Sequence, residues 1–269
     1  MTLENIDPDL AALTARYREY VDGYRGHGGA LPPMMALKLA HTMQVVATAR
    51  EIAAGENFTP AERHAAEAAA LLHDTGRYEQ LRRYNTFRDS DSVDHAVFSH
   101  DIVRDSGWLD GWPDREEILF AVLVHNRREL PVADAERSPF SPLALTAARA
   151  VRDADKLDIF RVLENQVATT DWRHDSKAFW DLPVTEPPSA GVMAAVREGR
   201  PVDYGQIATL ADFVLVQIGW MISGLEYATS RRLCAARGHL EFRRRFLFEL
   251  GAGAEAGELC DLARRRCSP

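Results

Sequence analysis

Nine histidines occur in this chain of 269 residues, and four of them sit in strongly apolar surroundings. His41 lies in LKLAHTMQVV, His73 in AAALLHDTG, His95 in DHAVFSH and His125 in FAVLVHNR. A buried imidazole needs a partner for each ring nitrogen, and four such rings call for a common explanation. Any one of them alone would read as a hydrogen-bonded core residue. Carboxylates accompany them: Asp74 directly follows His73, and Asp153, Asp155 and Asp158 fall in the run DADKLD. Mixed imidazole and carboxylate donors suit Mn, Fe, Co, Ni or Zn better than Ca or Mg. The absence of cysteine from the set argues against a structural zinc site.

Helices must position these groups, because apolar residues recur at helical spacing and alternating strand patterns are hard to find. The expected fold class is all-α. Asp7-Pro8 opens a helix running to about Tyr24, and a second spans Met34 to Ala54 and stops at Gly55. Thr59-Pro60, with Glu62 in the first turn, opens a third that Thr75-Gly76 closes after His73. Adjacent helical residues diverge by about 100°, so His73 and Asp74 can share a cluster only where the backbone bends, which Thr75-Gly76 permits. Further helices are expected from Ser92 to Ser106, from Asp114 to Asn126, and over 142–169 as one helix or two.

Residues 171–205 hold prolines and turn formers and read as an irregular excursion or a lid. Helical texture returns from Asp203 to Arg237 and from His239 onward. The expected organisation is therefore a helical core over 1–170, the excursion over 171–205, and C-terminal helices over 206–269 packed on the core as one domain. Arginine clusters at 231–232, 243–245 and 264–266 read as solvated helix faces, the alternative being a phosphate-binding or dimer surface.

Composition narrows the partners. Apolar residues make up 46% and charged residues 27%, which excludes disordered and fibrous classes. Asp plus Glu outnumber Lys plus Arg by 40 to 32, a formal charge of −8, which argues against a dedicated nucleic-acid surface. A small anionic substrate stays compatible, since a pocket can be positive on an acidic protein. Cys234, Cys260 and Cys267 form no CxxC pair and read as reduced thiols. The opening MTLENIDPDL shows neither the basic nor the apolar region of a secretory leader, and no apolar stretch is long enough to span a bilayer. A soluble, cytoplasmic protein is expected, with a homodimer left open.

His41, the doublet His73-Asp74 in LLHDTGRYEQ, and Asp155 in VRDADKLDIF together resemble the H…HD…D signature of the HD superfamily of metal-dependent phosphohydrolases. The resemblance covers about residues 35–165. It implies a bundle of at least five helices with the ligands pointing inward, and it selects Asp155 from the aspartate run. Asp153 and Asp158 then become supporting or surface residues. His95 and His125 resemble the additional histidines of subfamilies that hold two metals, in which Asp74 would bridge the pair. His100, on another helix face than His95, is set aside, and His27, His64, His174 and His239 are read as surface residues.

The implied metal set is His41, His73, Asp74, His95, His125 and Asp155 around one or two divalent transition ions. Such an ion lowers the pKa of bound water to the neighbourhood of 7, which supplies hydroxide for attack on phosphorus. Asp74, Arg77 and Lys156 are the candidate catalytic residues, the two cations neutralising charge on phosphoryl oxygens. Arg127, Arg128 and Tyr78 are candidate substrate contacts, and Arg82, Arg83 and Arg88 with Tyr78 and Tyr84 would line an entrance before His95. The expected activity is hydrolysis of a small phosphate ester, with a nucleotide as the leading substrate by family analogy. Two other readings stand beside it: a mixed-valent diiron oxygenase of the same superfamily, and a sensor or binding domain without turnover.

Overall fold

Thr59 shows how locally the helix starts are encoded. Its hydroxyl accepts from the Glu62 backbone N–H, while the Glu62 carboxylate accepts from the Thr59 backbone N–H. This reciprocal cap satisfies donors that a helix start otherwise leaves open, and Pro60 supplies the pre-set first turn. A computed structural model describes residues 7–130, 140–175, 179 and 181–267 of the chain. The architecture is all-α, with no strand among the described residues.

The chain divides into two compact units, one ending at Asp155 and the other beginning at Lys156. The first contains α1 (Pro8–Asp22), α2 (Pro33–Gly55), α3 (Pro60–Leu72), α4 (Gly76–Tyr84), α5 (His95–Ser106) and α6 (Arg115–Val124). It ends within α7 (Pro142–Thr169), a single helix. Helices α2 and α3 are extensively packed together, and α3 is rich in small buried residues: Ala65, Ala66, Ala68, Ala69 and Ala70. Small side chains let helix axes approach closely, and α3 packs on α1, α2 and α6.

Helix α4 departs from expectation. Helix α3 ends about where expected, at Leu72 with His73 as its cap, but Gly76 opens a further helix, α4, instead of a loop. Gly76 is there for space: a Cβ on it would lie 2.7 Å from the Ser99 backbone nitrogen and 3.0 Å from the Phe98 carbonyl carbon. Its own N–H donates to Ser99 Oγ at 2.8 Å, tying α4 to α5. Residues 76–84, expected to belong to an entrance loop, thus form a helix. Helix α5 starts at His95, later than expected, because the Asp94 side chain caps the Ala96 and Val97 N–H groups.

The second unit contains the rest of α7, then α8 (Ala190–Arg197), α9 (Leu210–Gly219), α10 (Ala228–Ala236), α11 (His239–Glu249) and α12 (Gly253–Cys267). The 171–205 excursion therefore holds a helix and a 3-10 turn at Tyr204–Gln206. A π-helical turn at Trp220–Gly224 follows α9 and interrupts the expected run to Arg237. All three cysteines are buried and unbridged. Among the described residues no helix is long and apolar enough to cross a membrane.

Candidate metal centre

Four imidazoles and two carboxylates of the first unit converge. His41 projects from the middle of α2, His73 caps the C-terminus of α3, and Asp74 follows in the turn before α4. His95 is the first residue of α5, His125 caps the end of α6, and Asp155 lies on α7. Three of these positions are helix termini, where the chain changes direction and neighbouring side chains can reach one point.

The distances define two groups. His41 Nε2 lies 3.4 Å from His73 Nε2 and 3.1 Å from Asp155 Oδ1. His95 Nε2 lies 3.1 Å from His125 Nε2. Asp74 stands between them: its Oδ2 is 3.5 Å from His73 Nε2 and 3.6 Å from His41 Nε2. Its Oδ1 is 3.7 Å from His95 Nε2 and 3.9 Å from His125 Nε2. The two oxygens of one carboxylate thus address two imidazole pairs.

Hydrogen bonds at the far side of the rings fix which nitrogen points inward. His73 Nδ1 faces the Ala70 carbonyl at 2.8 Å, and His125 Nδ1 faces the Val122 carbonyl at 2.7 Å. Carbonyls only accept, so each Nδ1 carries the proton and a neutral ring turns the Nε2 lone pair inward. His95 Nδ1 is held by Asp89 Oδ2 at 2.5 Å. The other Asp89 oxygen accepts from Arg77 Nη1 and Gln80 Nε2, each at 3.0 Å. Such a carboxylate or carbonyl behind a ligand histidine orients the ring and raises its basicity.

Electrostatics agree with neutral His95 and His125 beside ionised carboxylates. Burial, helped by Arg77, lowers the pKa of His95. Burial, with His95 and His73 nearby, holds His125 well below its ordinary value. Burial alone would raise Asp74, but Lys38, His73 and Arg77 hold it well below the usual carboxylate range. Asp155 is likewise lowered against its burial, by the hydrogen bond and charge of His41. Asp89 is brought to about 2, the contact with His95 outweighing burial.

The donor set fits a transition ion. Two neutral rings facing each other through unprotonated Nε2 atoms, as His95 and His125 do, repel unless an electrophile lies between their lone pairs. Donor atoms of His41, His73 and Asp155 lie within 4.8 Å of one another, as do those of His73, Asp74 and His125. Residues 39–159 match the family model described as HD domain. This stretch is an HD domain. Comparisons with curated proteins and with solved structures gave no match. All six convergent residues fall inside the stretch that matches the HD domain.

Other predicted residues fall differently around the HD domain's cluster. Arg77 reaches it, with Nε 3.4 Å from Asp74 Oδ1 and Nη1 on the Phe87 carbonyl at 2.7 Å. Lys156 donates to the Gly224 carbonyl at 2.9 Å. The ammonium at the shared carboxylate belongs instead to Lys38, 2.7 Å from Asp74 Oδ2. Lys38 sits one helical turn before His41, a spacing that marks it in the sequence once His41 is taken as a ligand. Asp89 was also missed, since its role depends on the turn that folds it back onto His95.

Tyr78 lines no entrance. It is 1% exposed, and its hydroxyl lies 3.1 Å from that of Tyr17. Helix α4 turns this residue inward, so burial raises its pKa. Tyr84 is exposed, while Arg82 and Arg83 pair with Glu79 and Arg88 with Asp91. Arg127 pairs with Asp94 at 3.0 Å, and the Arg128 carbonyl accepts from Arg152 at 3.2 Å. Both arginine side chains are exposed.

Two histidines read as surface residues are not. His64 is half-buried, bonded through Nδ1 to Asp114 at 2.7 Å and stacked on Trp112. His239, in the second unit, is buried and bonded to Glu164 at 2.7 Å. Glu164 also pairs with Arg243, which is fully buried rather than part of a solvated face. His27 and His174 are exposed, and His100 bonds Asp101 away from the cluster. Asp153 and Asp158 are both buried, and Asp158 pairs with Arg161.

Proposed function

We propose that the protein is a metal-dependent phosphohydrolase acting on a small phosphate ester, with a nucleotide the first substrate class to test. The observation that carries this reading is the Asp74 carboxylate, whose two oxygens face two separate imidazole pairs. His41, His73 and Asp155 would hold one ion and His95 and His125 a second, with Asp74 offering one oxygen toward each group. Bound there, such ions would supply Lewis acidity and a water acidic enough to act as nucleophile near neutral pH.

The chain's own residues supply position and charge. The Ala70 and Val122 carbonyls and Asp89 hold three imidazoles in one tautomer, so the donors need no reorganisation. Lys38 and Arg77 place positive charge on opposite oxygens of Asp74, next to where phosphoryl oxygens would gather. Asp74, Asp89 and Asp155 outnumber these two cations, so bound divalent ions would be needed to make the site positive and draw in an anionic ester against a chain charge of −8.

The test is elemental analysis of untagged protein, followed by a phosphate-ester panel with the metal found. Stoichiometric transition metal and phosphate release, both lost in Asp74→Ala, are expected. Oxygen consumption with bound iron and no phosphate release would instead support the oxygenase reading. Metal without turnover of any kind would support a binding domain.

A further inference from the structure

We infer that the substrate carries an apolar group beside its anionic one, and that this group seats on Met34, Leu37 and Phe87 at the mouth of the centre. The inference deepens the phosphoester reading and rests on it.

The argument starts on α2. Met34 precedes His41 by seven residues, so the two share nearly the same azimuth with Met34 roughly 10 Å nearer the helix start. Leu37 lies between them, about 40° to one side. His41 is buried, yet Met34 is 47% and Leu37 49% exposed. On the face of α2 that carries His41, two apolar side chains one to two turns earlier, Met34 and Leu37, are thus about half exposed.

Phe87 adds an aromatic wall. Lys38 Nζ and the Arg77 guanidinium carbon each lie 5.6 Å from its ring centroid. Both cations also touch Asp74, so Phe87 stands beside the positive end of the site. An anionic head held by the centre, Lys38 and Arg77 would direct its attached group toward these apolar side chains. Charge complementarity and continuity with the centre thus select a small anion with an apolar substituent as the occupant.

The experiment is calorimetry on the full chain loaded with its own metal, without oxygen. The probes are inorganic phosphate, methylphosphonate and phenylphosphonate, whose C–P bonds resist hydrolysis. Phenylphosphonate is expected to bind about tenfold more tightly than methylphosphonate, from burial of the ring. The double variant Met34→Ser, Leu37→Ser should lose that preference while keeping its metal content and its affinity for inorganic phosphate. Equal affinity for the two phosphonates, or a preference that survives the substitutions, overturns the inference and leaves the phosphoester reading intact. Failure of inorganic phosphate to bind overturns the phosphoester reading, and the inference with it. A parent dimer that the double variant converts to monomer also overturns the inference, because the patch is then a contact between copies.

Discussion

His95 and His125 face each other through their Nε2 atoms at 3.1 Å, each ring held from behind by an acceptor on Nδ1. Asp74 Oδ1 approaches both inward nitrogens, at 3.7 Å from His95 and 3.9 Å from His125. The pair forms one half of the proposed two-ion arrangement. Substituting either ring, as His95→Ala or His125→Ala, should lower metal stoichiometry from about two toward one per chain. Elemental analysis of dialysed protein reads this directly, and unchanged stoichiometry would remove both rings from the ligand set.

Asp89 orients His95 and also holds Arg77 and Gln80. Asp89→Ala should weaken metal binding by about 10–100-fold. Asp89→Asn, which can still accept from Nδ1–H, should recover part of the loss. Chelator competition measures both; equal affinities in Asp89→Ala and parent would make Asp89 a loop residue only.

The His64–Asp114 contact predicts a pH-dependent stability remote from catalysis. The hydrogen bond to Asp114 raises the His64 pKa, outweighing burial. A raised folded-state value stabilises the protein fully below the unfolded value of about 6.5, and that contribution fades as pH rises through the folded value. Asp114→Asn removes the charge responsible. The stability difference between parent and variant in urea should be larger at pH 5.5 than at pH 8.5. A gap that does not change with pH would show that His64 does not titrate on unfolding.

Arg243 gives a prediction for the second unit. Its guanidinium donates to Glu164, Gln217, the Phe160 carbonyl and the His239 carbonyl, with no exposed surface. Arg243→Met leaves Glu164 with His239 as its partner and strands the Gln217, Phe160 and His239 acceptors, and should destabilise the protein by about 3 kcal/mol. Adding Glu164→Gln should return part of that loss. Two additive denaturation shifts would mean that the residues do not act as a pair.

The candidate ligands were legible because imidazole is rare on apolar helix faces, and each of His41, His73, His95 and His125 carried that contradiction in its immediate neighbours. Helix starts marked by local chemistry, such as Thr59 with Glu62, were legible for a similar reason. Gly76 was misread because a glycine that ends a helix and one that lets another helix approach look alike without the partner residue Ser99. Tyr78 followed from that error. Lys38, Asp89, His239 and Arg243 depend on partners far along the chain or across a turn, and no local pattern announces them.

The alanines of α3 have a consequence for how this centre could change over time. Buried methyl groups line α3 where it packs on α1, α2 and α6, and the seating of α3 among them places His73 relative to His41. A larger side chain there touches no donor atom, yet it would shift α3 and with it the approach of His73 to His41. Loss of chemistry in a descendant of this chain can therefore begin at a residue with no functional group, while every ligand is still in place.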